Sequence, residues 1–205
     1  MPEEIIPGLL HWTAPHPNIG FDVSSHFVIG SRTLIDPLLP DGGIELGAEP
    51  ERIVLSTRHH RRSIEEFDCP IFCHESGLHE FENGPDVQGY AWGDQLAPDV
   101  RAVEVGAISP DETGLLIDAG GGALLLADAA MHYVDEVHFV PDQYMVDEGD
   151  DPEPVKLAIR EALSKLLDLE FDALLFAHGS PIPTGGKEAL RRFVEQPPET
   201  PQPPQ

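Results

Sequence analysis

The stretch Arg52-Ile-Val-Leu-Ser-Thr-Arg-His-His-Arg-Arg-Ser-Ile64 carries the strongest indication of how this chain folds. It predicts a buried strand that ends near Thr57, then a loop rich in histidine and arginine, then the start of a helix in which Ser63 and Glu66 have capping-box spacing. Loops at strand ends commonly hold catalytic and metal-binding side chains. The loop is therefore the first candidate for a functional site.

Three further segments also end an apolar strand pattern on a polar residue. Asp36 follows Leu34 and Ile35, Asp128 follows the apolar run 123–127, and His178 follows the run 174–177. Carboxylate and imidazole groups are common metal ligands and acid–base groups. We expect these four strand ends to converge on one site.

The order of these segments resembles the metallo-β-lactamase superfamily, over roughly residues 5–195. That family has a strand ending in Ile-Asp, a Thr-His-x-His-x-Asp-His motif, a lone histidine, an aspartate after an apolar strand, and a late Gly-His. Here Asp36, the loop after Thr57, Asp128 and His178 stand in the corresponding order. The resemblance implies an α+β fold, a four-layer αββα sandwich.

Within this resemblance, the metal motif is largely replaced. Aligned through Thr57, the first histidine, the aspartate and the third histidine of the motif correspond to Arg58, Arg62 and Ser63. The lone middle histidine has no counterpart in residues 105–110. The resemblance therefore implies a hydrolase-like protein that has lost most of its metal ligands.

Three ligand positions of the family are retained, and they are the candidate catalytic residues: His60, Asp128 and His178. In the family pattern His60 binds the first metal ion, Asp128 bridges both ions and His178 binds the second ion. Neither ion therefore keeps its full set of ligands. We expect no cofactor to bind. The alternative is one zinc or other divalent ion on these three residues, with His59 shifted inward, because a catalytic zinc needs three protein ligands and an open position.

Without a metal, a buried Asp128 carboxylate needs another cation or must protonate. Arg58 and Arg62 supply permanent positive charge. We expect one guanidinium to occupy the former metal position and pair with Asp128; the alternative is that both arginines face solvent. Together with His59 they are the predicted ligand-binding residues, because arginine offers a fork for a carboxylate or phosphate.

Two functions follow from these features. The first is a hydrolase with a mononuclear or absent metal site, acting on an ester, thioester, lactone or phosphoester. The second is a non-catalytic protein of the same fold that binds a small anionic ligand or a protein partner. A homodimer is compatible with both.

The charge balance excludes other classes of partner. The chain has 12 basic and 37 acidic residues, a formal net charge of -25. Such a surface repels nucleic acid and anionic membranes. The N-terminus has no basic segment before an apolar run, so we expect no signal peptide and a cytoplasmic location. A high-salt cytoplasm and a GC-rich genome both fit the scarcity of lysine.

Hydrophobic patterns predict the remaining organisation. Short apolar runs predict strands, at 8–13, 26–29, 33–35, 52–56, 70–74, 101–106, 114–117, 123–127 and 173–177. Helical patterns cover 154–169 and 184–195, the latter with Thr184 as its expected N-cap, and a third helix begins at 63–67. We expect one domain over residues 1–196 and a disordered proline-rich tail over 197–205.

Overall fold

The structure, a computed structural model, describes residues 1–196. Seven strands form a first sheet in the order in which they occur in the sequence: β1 (Glu3–Ile6), β2 (Leu9–Pro15), β3 (Asp22–Val28), β4 (Thr33–Ile35), β5 (Arg52–Val54), β6 (Ile71–His74) and β7 (Val87–Tyr90). Strands β1 to β4 are antiparallel, whereas β4 to β7 pair in parallel. The parallel pairing brings the carboxyl ends of β4 and β5 to the same edge of the sheet.

Seven further strands follow: β8 (Gln95–Ala97), β9 (Val100–Glu104), β10 (Thr113–Ile117), β11 (Ala123–Leu126), β12 (Met131–Tyr133), β13 (Glu136–His138) and β14 (Ala173–Phe176). Five of them form a second sheet in the order β14-β11-β10-β9-β8, and β12 and β13 form a separate hairpin. Only β11 and β14 are parallel in this sheet. Their carboxyl ends therefore also share one edge.

The two sheets pack face to face, and their outer faces are covered differently. Apolar side chains fill the space between them, among them Val28, Ile35, Leu115, Leu125 and Leu175. Two helices, α1 (Glu153–Leu166) and α2 (Gly186–Glu195), pack on the outer face of the second sheet. Short 3-10 helices, at Arg58–His60, Ile64–Glu66 and Glu75–Phe81, lie on the side of the first sheet.

The predicted α+β class with two packed sheets is confirmed. All nine predicted strands are present, and a glycine turn at 120–122 joins β10 to β11. The helix predicted at 154–169 is α1. Neither helix of residues 1–196 is long and apolar enough to cross a bilayer.

Two predicted helix starts are wrong. Thr184 does not cap α2, because Gly185 takes the N-cap position with a φ of +72° and no side chain caps the helix. The helix expected from Ser63 is a single 3-10 turn. Instead of capping that turn, the Ser63 hydroxyl accepts a hydrogen bond from the Leu39 N–H at 3.0 Å. The predicted tail at 197–205 lies outside the described residues.

Candidate metal and ligand site

Four strand ends converge at one edge of the sandwich. Asp36 directly follows β4, and His60 lies in the 3-10 helix that begins four residues after β5. Asp128 and His178 each stand two residues beyond β11 and β14. The carboxyl ends of neighbouring parallel strands meet at one edge, and ligands commonly bind there in α/β sheets. The fold therefore brings together the four segments that the sequence singled out.

The three predicted catalytic residues form one compact cluster. The Asp128 Oδ1 atom lies 3.3 Å from His60 Nε2 and 3.0 Å from His178 Nε2. One ligand atom from each residue lies within 4.8 Å of the others, so these residues could hold a metal ion. The predicted convergence of His60, Asp128 and His178 is confirmed as geometry.

A second carboxylate, that of Asp36, binds the ring nitrogen of His60 that does not face Asp128. Its Nδ1 donates to Asp36 Oδ2 at 3.0 Å and lies 3.1 Å from the Ser56 hydroxyl. Asp36 also accepts hydrogen bonds from the Ser56 N–H and hydroxyl. These contacts fix the ring so that Nε2 points at Asp128. A carboxylate behind a histidine is the usual outer support of a metal-binding imidazole.

The charges of this cluster are strongly coupled. Burial and the charge of Arg62 would lower the pKa of His60, but Asp128 and Asp36 outweigh them and raise it to about 9. Burial alone would raise the pKa of Asp128, but the charge of His60 and hydrogen bonds from both histidines hold it well below its usual value. In the metal-free protein His60 is therefore a cation shared by two carboxylates.

The expected pair between an arginine and Asp128 is wrong. Arg58 pairs with Asp111 instead, through its guanidinium and through its backbone N–H. Asp111 is fully buried and also accepts a hydrogen bond from the Thr57 hydroxyl at 3.1 Å. Arg58 is thus bound to a buried carboxylate that sequence reasoning missed, because Asp111 precedes β10 and lies outside any recognised motif.

Arg62 turns inward, and it does not pair with Asp128 either. One guanidinium nitrogen, Nη1, donates to the Ser24 carbonyl at 2.8 Å and to the Asp36 carbonyl at 2.9 Å. The backbone of Arg62 has a φ of +29°, and that of Asp36 has a φ of +47°. Non-glycine residues rarely occupy this region, and such conformations concentrate at functional sites.

The cluster opens into a cavity of about 320 Å³. Its polar lining consists of His16, His59, His60, Arg62, Asp128 and His178, and its apolar lining of Ile19, Phe21, Val23, Met131, Val140, Pro141 and Tyr144. Of the predicted ligand-binding residues, Arg62 and the exposed His59 line this cavity, whereas Arg58 lines a neighbouring groove. His59 is not one of the three clustered residues.

A second carboxylate that the sequence did not indicate lies near Asp128. Glu112 is buried, and its Oε2 accepts a hydrogen bond from the Ile108 N–H at 3.0 Å. Its Oε1 has no hydrogen-bond partner among residues 1–196. Burial first, and then the charge of Asp128, raise the pKa of Glu112 to about 7.

Other histidines and the cysteines lie outside the cluster. His74 accepts a hydrogen bond from the Ser76 N–H and so caps the start of a 3-10 helix. His132 stacks on Phe176 and lies 2.8 Å from the Ser180 carbonyl, so it does not reach Asp128 as a ligand. Both cysteines are free thiols.

The sequence matches no known family profile and no curated protein. The structure is similar to a metallo-beta-lactamase family protein from Thermus thermophilus, with a TM-score of 0.64 and 17% identity over 93% of this chain and 79% of that one. It is also similar to an archaeal metallo-beta-lactamase superfamily protein from Sulfolobus tokodaii, with a TM-score of 0.62 and 14% identity over 92% and 85%. A mutant flavo di-iron protein from Thermotoga maritima has a TM-score of 0.61 and 16% identity, and the match covers 91% of this chain and 57% of that protein. Sequence identities this low support a shared fold and nothing more. The chain has the metallo-β-lactamase fold.

Proposed function

We propose that this protein is a hydrolase that uses a single divalent metal ion, held by His60, Asp128 and His178. The observation that carries the proposal is the compact arrangement of these three ligand atoms at the cavity. If each lay 2.0–2.1 Å from a tetrahedral zinc ion, the ligand atoms would stand about 3.3 Å apart. Two of the three observed separations, 3.0 and 3.3 Å from Asp128 Oδ1, are close to that value, and the ligand atoms of the two histidines lie within 4.8 Å of each other.

The environment of the cluster also fits a metal. Asp36 accepts a hydrogen bond from the Nδ1–H of His60, so Nε2 can offer its lone pair to an ion once Nε2 loses its proton. The support is incomplete on the other side, because Nδ1 of His178 is buried and has no partner among residues 1–196. We therefore expect a metal affinity below that of a fully supported site.

A divalent ion at this position supplies Lewis acidity and lowers the pKa of a water molecule, as in other metal-dependent hydrolases. The chain supplies the rest of the site. Asp36 and Ser56 fix His60, while the apolar cavity wall excludes water from the bound substrate. An ester, thioester, lactone or phosphoester is the class of bond that such a site hydrolyses.

The replaced motif favours one ion over two. The family's motif aspartate corresponds to Arg62, which contributes a cation at the place of a metal-binding carboxylate. A second dication beside a guanidinium would be repelled. This arrangement supports a mononuclear rather than a dinuclear centre.

Metal binding itself tests the proposal. We expect the chelator-treated protein to bind one equivalent of Co²⁺, with visible absorption of a four- or five-coordinate ion, and Zn²⁺ to displace it. His178→Ala should weaken Co²⁺ binding by at least tenfold. The control is His79→Ala, because His79 is an exposed histidine that is not one of the clustered residues. Absence of metal-dependent absorption in the wild-type protein would reject the proposal.

A second candidate function rests on one specific observation. Both imidazoles contact the same oxygen of Asp128, His178 through a hydrogen bond at 3.0 Å and His60 through an ion pair at 3.3 Å, so the cluster is internally paired without any ion. In that case the protein is a non-catalytic relative that binds a small anion or a partner. A protein that retains no metal and accelerates no hydrolysis would favour this candidate.

A further inference from the structure

We propose that Arg62 recognises the substrate of this site, and that the substrate is a small carboxylate with an apolar group beside the charge. This inference rests on the proposed function for its catalytic meaning, because it names the substrate class of the same cavity. Anion binding by Arg62 does not itself require the metal, so it can be tested separately.

The hydrogen bonds of Arg62 leave one side of its guanidinium free. Nη1 uses its two N–H groups on the carbonyls of Ser24 and Asp36, which anchors the side chain to the first sheet. Nε and Nη2 make no hydrogen bond to residues 1–196, and neither is shut off from solvent. These two nitrogens form the fork that binds both oxygens of a carboxylate.

Within the described part of the chain, Arg62 also has no carboxylate in direct contact, and the charges of Asp36 and Asp128 act on it only from a greater distance. Among residues 1–196, no carboxylate oxygen lies within 4.0 Å of its guanidinium, whereas Arg58 has Asp111 and Glu80 within that distance. The oxygens of Asp128 and Asp36 that face the cluster are bound to the histidines and to Ser56. A partly buried cation without a counterion is costly, so a bound anion would stabilise it.

The cavity lining selects among anions. Seven of its thirteen lining residues are apolar or aromatic, which favours a ligand with an apolar part. Phe21 and Tyr144 meet edge to face at 6.2 Å and remain 39% and 42% exposed, so both offer aromatic surface to a ligand. Arg62 provides one free positive charge beside Asp128, and a doubly charged phosphate would place its second charge near that carboxylate. A monoanionic carboxylate is the better match.

Binding to the metal-free protein tests the assignment. Benzoate and benzamide have the same shape and differ in charge, so calorimetric titration with each separates the carboxylate contribution from apolar packing. We expect benzoate to bind the chelator-treated wild-type protein with a Kd on the order of 1 mM. Benzamide should bind at least tenfold more weakly. Equal binding of the two compounds, or tighter binding of inorganic phosphate than of benzoate, would overturn the proposal.

Two arginine variants then test whether Arg62 is the residue that binds the carboxylate of benzoate. Arg62→Lys keeps the positive charge and loses the fork, so benzoate binding should weaken about tenfold. The matched control is Arg61→Lys, because Arg61 is the adjacent arginine and pairs with Glu65 at the surface. Unchanged benzoate binding in Arg62→Lys would overturn the assignment. If Arg62→Lys does not fold, the comparison of benzoate with benzamide in the wild-type protein still tests the proposal, because equal binding of the two compounds overturns it.

The outcome is distinguishable from that of the metal proposal. Charge-selective benzoate binding in a protein that never binds Co²⁺ would reject the hydrolase and keep Arg62 as a ligand-binding residue. Binding of Co²⁺ without any preference for benzoate over benzamide would support the metal centre and overturn the role of Arg62. Each measurement therefore answers one of the two questions.

Discussion

The two sheets contribute unequal halves to the same site. On the first sheet, Asp36, Ser56 and His60 are buried, and their side-chain atoms hydrogen-bond one another. On the second sheet, the Asp128 and His178 side chains are 23% and 12% exposed. Atoms of His178 and Glu112 there lack partners among residues 1–196. We infer from this difference that the first half is preorganised, and we expect the second half to adjust around a ligand or an ion.

Replacing each aspartate, Asp36 or Asp128, with asparagine should show the difference between the two halves most strongly. Asp36→Asn removes the charge that pairs with His60 in a buried network, so we expect the free energy of unfolding to fall by about 3 kcal/mol. Asp128→Asn, in the more exposed half, should lower it by about 1 kcal/mol. Urea unfolding of both variants measures the difference. Equal losses would mean that the two halves are equally rigid.

The second-largest loss of stability is expected from breaking the ion pair that connects the two halves. Arg58 follows β5 of the first sheet and binds Asp111, which precedes β10 of the second. Arg58→Met leaves a buried carboxylate without its ion pair, although Asp111 keeps the Thr57 hydroxyl. We expect a loss of about 2 kcal/mol in unfolding free energy. Arg61→Met, at the surface, should change it by less than about 0.5 kcal/mol, and a loss as small in Arg58→Met would show that the ion pair does not join the halves.

The buried carboxyl group of Glu112, in the second half, should make the free energy of unfolding depend on pH. Because burial raises the pKa of Glu112 from 4.5 to about 7, the folded state binds a proton more tightly than the unfolded state. The stability from this group is therefore present below about pH 4.5 and is lost as the pH rises to 7. Glu112→Gln should be about 1–2 kcal/mol more stable than wild type at pH 8 and no more stable at pH 4.5.

The control for this measurement is Glu104→Gln, because Glu104 is an exposed carboxylate on β9. Its unfolding free energy should follow that of the wild-type protein at both pH values. A Glu112→Gln variant with the same pH profile as wild type would show that the carboxyl group does not bind its proton more tightly in the folded protein.

The smallest effect is expected at the rim of the cavity. His59 is exposed and is not part of the ligand cluster. His59→Ala should change the unfolding free energy by less than about 0.5 kcal/mol and the Co²⁺ affinity by less than about twofold. A larger loss of Co²⁺ affinity would mean that His59 moves inward as a fourth ligand when the ion binds.

Strand prediction succeeded where a strand is buried along its length and failed where a strand carries exposed side chains. β11 and β14 are continuous apolar runs buried along their whole length, and the sequence indicated both. β1 and the hairpin strand β12 are only partly buried, and neither carries a long apolar run from which to predict it. Pairing with a neighbouring strand, rather than side-chain pattern, places such segments in sheets.

The candidate site was predictable in position but not in its internal contacts. Strand ends located Asp36, His60, Asp128 and His178, because parallel topology brings such ends to one edge. The partner of each charge depends on distances of a few ångströms between segments far apart in sequence. Asp111 and Glu112 illustrate this limit, since only the fold places them beside Arg58 and Asp128.

The parallel pairing of β11 with β14 has a consequence for the order of folding. Asp128 and His178 are separated by 50 residues, and the Ser24 hydroxyl hydrogen-bonds the carbonyl of Gly179 across 155 residues. Contacts between such distant segments form slowly, because loop-closure entropy opposes them until other contacts are made. We therefore expect β14 to dock late and the cavity to form only after it has docked. The time course of Co²⁺ binding during refolding would therefore report the last step of folding rather than the first.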